Sequence, residues 1–180
     1  MTGAASPTRL VWIEAALIGL LACNTVYYIV AGRASEALES VAWYALLILF
    51  LLETTRQQTR AKNIVLKLNH SLRLIATLAI AWSAALYVRE REWLDAVNVA
   101  LWVAVVILME LEVRRPATVA ARRQAYAAAA TLLYAALGVL VVIWLARGEW
   151  MDAWDAALWL AAFGALETDL LRRSESRNIV

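Results

Sequence analysis

Three acidic clusters are the residues of this sequence best placed to do chemistry. Glu149, Asp152, Asp155 and Trp159 follow one another at spacings of three, three and four. Glu92, Asp95, Asn98 and Trp102 repeat that spacing, with Asn in place of the third acid. Glu36, Glu39, Ala42 and Leu46 give a weaker copy. On a helix, positions spaced this way lie along one stripe. Aligned carboxylates attract cations or protons, and indole faces add cation–π affinity for an organic cation. The candidate binding residues are therefore Asp155, Asn98, Asp152, Asp95, Glu39, Trp159 and Trp102. Asp155 stands out because it falls two turns inside an apolar stretch. A charge costs about 2.5–3.5 kcal/mol at the bilayer centre, and such residues are functional by default.

A structural role competes for the shallower acids. Carboxylates in the first turn of a helix favour the positive end of its dipole, and Ser35 suits an N-cap. Arg33, Arg89, Arg91 and Arg147 are near enough in sequence to pair with them. Tryptophan at a membrane interface is an anchor by default.

The elements that carry these clusters are apolar helices. Of 180 residues, 63% are hydrophobic and 18% charged, against about half and about a quarter in a soluble domain. One Cys and one His exclude a disulfide scaffold and a Cys/His zinc or haem site. A single His also leaves little room for a Ser-His-Asp or Cys-His hydrolase. With 17 basic and 15 acidic residues nearly cancelling, a nucleic-acid partner is not expected. There is no P-loop, GxGxxG or HExxH motif, and no cofactor or metal is expected.

Charge-poor runs alternate with charged clusters along the chain. Gln124–Ala146 is the clearest span, followed by Ala15–Gly32 and Leu74–Val88. Three shorter runs reach the ~20 residues a bilayer core requires once their acidic end turns are included, as Glu36–Glu53, Glu92–Glu112 and Glu149–Asp169. The expected fold is all-α, an integral membrane six-helix bundle. With the amino terminus inside, 13 basic residues fall on the inner side and four (Arg33, Arg89, Arg91, Arg147) outside. An excess of Lys and Arg in inner loops sets topology, so both termini are expected in the cytoplasm and the protein in the inner (plasma) membrane.

The acidic clusters recur at intervals of 56 and 57 residues, the mark of an internal repeat. Three parallel repeats of an antiparallel transmembrane hairpin follow, at approximately 9–56, 62–115 and 118–173. They form a single transmembrane domain over 1–180, with short polar tails at 1–8 and 174–180. Small residues recur every fourth position: Ala15, Gly19 and Cys23; Ala96, Ala100 and Ala104; Ala127, Thr131 and Ala135; Ala153, Ala157, Ala161 and Ala165. Such stripes let helices approach closely in lipid, and Cys23 reads as one of these packing residues.

The leading expectation is a small channel or carrier for a proton or cationic permeant, entering through an outer, Trp-rimmed acidic vestibule. The alternative is a non-catalytic structural or accessory subunit packing through its small-residue faces. No nucleophile–base pair is visible, so an enzyme is not expected. The expected partners are the lipid bilayer, a small cation or proton, and a second copy or a partner membrane protein.

Overall fold

Long runs of Ala, Leu and other good helix formers, interrupted by Pro only at positions 7 and 116, favour uninterrupted helices. The computed structural model describes the backbone of residues 7–56 and 63–177. It describes the side chains of residue 12 and of residues 15–52, 71–112 and 114–164. The helices are α1 (Pro7–Ala31), α2 (Ala34–Arg56), α3 (Asn63–Glu90), α4 (Trp93–Arg114), α5 (Pro116–Ala121), α6 (Arg123–Arg147) and α7 (Trp150–Arg177). No strand occurs among the described residues. The sequence predicts six helices; the seventh is α5, six residues long, with Pro116 at its first turn.

Among the described residues, four segments are long and apolar enough to cross a membrane: Ala34–Leu52, Ser71–Glu90, Trp93–Glu112 and Arg123–Arg147. Ala15–Ala31 is a shorter apolar helix. Their outward faces carry Leu74, Ile75, Leu78, Leu132, Val139 and Val142, all exposed. Contiguous apolar surface of that kind is unsuited to water. The chain thus has the features of a helical membrane protein.

The chain divides into two compact units. One comprises Ala22–Val103, the other Met1–Leu21 together with Ala104–Val180. In the first, α2 packs against α3, and the buried side chains include Tyr28, Trp43, Ile80, Tyr87, Val99 and Trp102. The Ser40 hydroxyl donates to Thr25 Oγ1 at 3.1 Å, a buried bond between α2 and α1. In the second, α6 packs against α7, and Leu137, Leu140, Trp144, Ala153, Ala156, Trp159 and Ala162 are buried.

Two turns share one construction. After α3, Arg91 adopts φ 65°, its N–H reaches Val88 O at 3.3 Å, and the Glu92 N–H reaches Tyr87 O at 2.9 Å. After α6, Gly148 adopts φ 77°, its N–H reaches Leu145 O at 3.2 Å, and the Glu149 N–H reaches Trp144 O at 2.9 Å. Both are Schellman caps, which satisfy the last carbonyls of a helix through one left-handed residue. Glycine adopts that conformation without penalty, whereas arginine is strained in it. The turn after α1 is built differently. A Cβ on Gly32 would lie 2.7 Å from Tyr28 O and 2.9 Å from Glu36 Oε2, so only glycine fits there without a shift.

The small-residue stripes do not pack as expected. Ala15, Gly19 and Cys23 on α1 are exposed, as are Ala127, Thr131 and Ala135 on α6. On α7, Ala157 and Ala161 are exposed while Ala153, Ala156 and Ala162 are buried; Ala165 lies outside the described side chains. On α4, Ala100 is exposed, Ala96 and Ala104 are half-buried, and the buried face is Val99, Trp102 and Val105. On α4 larger side chains take the buried face, where they remove more area per residue from the surroundings and make more dispersion contacts, whereas α7 buries three alanines beside Leu158 and Trp159.

Candidate functional site

The first turns of α2 and α4 and the last turn of α3 bring together the densest group of ionisable side chains among the described residues. Arg33 sits at its centre, immediately before α2. Its backbone N–H donates to Glu36 Oε2 at 2.7 Å, so the third residue of the helix reaches back to the cap, as in half of a capping box. The Arg33 Nε donates to Glu36 Oε1 at 2.7 Å. The Nη2 donates to Asp95 Oδ2 at 2.9 Å, and the Nη1 lies 2.6 Å from Glu92 Oε1. One guanidinium therefore serves three carboxylates. Its Cζ also stands 6.0 Å from the centre of the Tyr87 ring, at the outer limit of a cation–π contact.

Two further bonds extend the network. The Tyr87 hydroxyl, on a side chain only 2% exposed, donates to Glu39 Oε2 at 2.7 Å. The Ser35 hydroxyl, fully buried, donates to Glu90 Oε2 at 2.7 Å. Ser35 is thus not the N-cap of α2. Arg33 holds that position, and Ser35 instead links α2 to the end of α3. Partial burial works against the charge on Arg33. Its hydrogen bond to Glu36 and the charges of Glu36, Asp95 and Glu92 outweigh that burial and hold its pKa above the ordinary arginine value.

Each candidate from the sequence has a definite place. Asp95 is ion-paired to Arg33, and Glu39 accepts from Tyr87. Asn98 lies one turn beyond Asp95 on α4 and is half-buried. Its side-chain Oδ1 is sealed from solvent and has no hydrogen-bond partner among the described residues. Trp102, next along the stripe, is 4% exposed. In the other unit, Asp152 and Asp155 are half-buried in the first turns of α7. Trp159 is 7% exposed, with its ring 6.2 Å from that of Phe163. Trp102 and Trp159 are core residues, whereas the exposed indoles are Trp12, Trp82, Trp93, Trp150 and Trp154.

The structure brings Glu36, Glu92 and Asp95 onto one cation and places Glu39 one hydrogen bond away. Sequence reasoning named Arg33 as a nearby base but not as the hub. It missed Tyr87 and Glu90, and gave Ser35 the role of an N-cap rather than a link to α3. Their signal was only their position at helix ends, because the bonds join residues 48, 55 and 62 positions apart. No group of His, Cys, Asp and Glu among the described residues is arranged to hold a metal ion.

Comparison with known proteins gives no match: no family model fits the chain, and no curated protein or solved structure is similar to it.

Proposed function

We propose that this chain is a small inner-membrane channel or carrier for a proton or a cationic permeant. In this reading its six long helices form three parallel hairpin repeats with both termini in the cytoplasm. The observation that carries the reading is the state of Asn98. A buried acceptor without a donor costs about 1–3 kcal/mol, and a bound ion or water relieves that cost by supplying the missing partner. Asn98 Oδ1 lies one turn below a cluster in which three carboxylates share a single guanidinium. The cluster's surplus negative charge draws a cation toward the outer end of α4. The Asn98 carbonyl then offers it an oxygen ligand, and Asp155 is the charged counterpart of Asn98 in the third hairpin.

The repeat is supported by the two Schellman turns, whose hydrogen bonds fall 57 residues apart at both donors and both acceptors. Topology is supported by the distribution of Arg and Lys. The test is cation and proton flux into proteoliposomes for the wild type, Asp155→Asn and Asn98→Leu. Flux that falls at least tenfold in both variants supports the reading. Flux unchanged in both, or absent from the wild type, removes it.

A second reading, an accessory subunit that packs against a partner or a second copy, is favoured by the outward direction of the α1 and α6 small-residue stripes. A Cβ on Gly19 would meet nothing within 4 Å, so the α1 face of Ala15, Gly19 and Cys23 is open to another helix. Purification in mild detergent that yields only the monomer, with no Cys23 cross-link on oxidation, counts against it.

A further inference from the structure

The connection between α4 and α6 carries the most concentrated basic surface among the described residues. It joins two candidate spans, Trp93–Glu112 and Arg123–Arg147. Residues 113–122 include Arg114, Arg115 and Arg122 and no carboxylate; Arg123 follows at once. All four arginines are exposed. Arg114 is ion-paired to Glu110 on its own helix. The other nearby acid, Glu112, accepts the Tyr126 hydroxyl at 2.6 Å. Arg115, Arg122 and Arg123 have no acidic partner among the described residues.

Between these arginines lies α5, with the sequence Pro-Ala-Thr-Val-Ala-Ala and no buried residue. An apolar helix with no buried residue, bracketed by cations, suits the boundary between headgroups and acyl chains. Six residues span about 9 Å, so Arg115 and Arg122, which cap the two ends of α5, present guanidinium groups at both ends of the platform. The planar guanidinium fork matches a phosphate in a two-point grip. Basic clusters next to a span attract anionic lipid at roughly fivefold in affinity per arginine.

We propose that the Arg114–Arg123 connection is a binding site for anionic phospholipid, its arginines holding the headgroup phosphate and α5 lying against the acyl chains. The proposal rests on the two flanking spans and not on the transport reading. A phosphodiester lipid, rather than an acidic protein segment, is the occupant because the site adjoins both spans and pairs its charge with an apolar face.

The experiment is native mass spectrometry of the full chain in neutral detergent, titrated separately with phosphatidylglycerol and phosphatidylcholine. The wild type is expected to bind phosphatidylglycerol at least tenfold more tightly. The triple variant R115Q/R122Q/R123Q is expected to lose most of that preference while binding phosphatidylcholine as before. A variant at the other two helix ends, R89Q/R147Q, is expected to keep it. Should the triple variant fail to fold by circular dichroism, Arg122→Gln alone is expected to lower phosphatidylglycerol affinity about fivefold. Equal binding of the two lipids by the wild type overturns the proposal. So does an undiminished preference in the arginine variants, or an equal loss in R89Q/R147Q. Displacement of the lipid by millimolar inorganic phosphate overturns it too, since the ligand is then a free anion.

Discussion

Replacing Arg33 with Gln removes the one cation around which Glu36, Glu92 and Asp95 converge. Each acid has an oxygen within 2.9 Å of the guanidinium nitrogens, so the three carboxylates stand roughly 5 Å from one another. A like-charge pair at about 5 Å costs ~3 kcal/mol at an effective dielectric of 20 and ~0.8 kcal/mol in water. The Arg33 side chain is 40% exposed and that of Glu92 48%, which places the cluster toward the aqueous limit. The Asp95 and Glu36 side chains, at 15% and 16%, hold it above that limit. Discounted for screening, the expected loss is about 1–3 kcal/mol. Unfolding of the full chain by SDS titration from mixed micelles, followed by far-ultraviolet circular dichroism, measures it. A cycle with Asp95→Asn isolates the pair, with an expected coupling of about 1 kcal/mol. Raising the salt concentration is expected to reduce the Glu92 arm more than the Asp95 arm. Arg33→Gln with wild-type stability, or a coupling indistinguishable from zero, refutes the reasoning.

Three further outcomes follow from the same unfolding assay. Tyr87→Phe removes a buried donor to a carboxylate and is expected to cost about 1.5–3 kcal/mol, whereas Tyr27→Phe, on an exposed ring, changes little. Gly32→Ala drives a Cβ against the Tyr28 carbonyl and is expected to destabilise by about 1–3 kcal/mol. Arg91→Gly relieves a left-handed residue at an exposed turn. It is expected to stabilise by about 0.5–1 kcal/mol, the strain removed less the extra chain entropy of glycine.

What could be read from the sequence follows the reach of its signals. The helices and their apolar runs are local features, and the Arg123–Arg147 span lies within a residue of each end of Gln124–Ala146. The short helix α5 was missed because six residues carry no period, although Pro116 marks its start. Direction was harder. An indole at the membrane surface and one in the interior produce the same spacing, and Trp102 and Trp159 went inside while Trp93 and Trp150 stayed out. The small-residue stripes were legible as stripes, but not which way they face: those of α1 and α6 turned outward, while those of α4 and α7 are exposed only in part. Of the Arg33 network only the local pair with Glu36 was legible, since its partner Asp95 is 62 residues away.

The clasp around Arg33 also constrains how the Ala22–Val103 unit can deform. Its backbone is pinned at the head of α2 while its guanidinium grips the head of α4. Parting those two helix heads means breaking the contacts to Glu92 and Asp95 together. The two heads are therefore coupled through one side chain, so that loss of Arg33 loosens the starts of α2 and α4 at once.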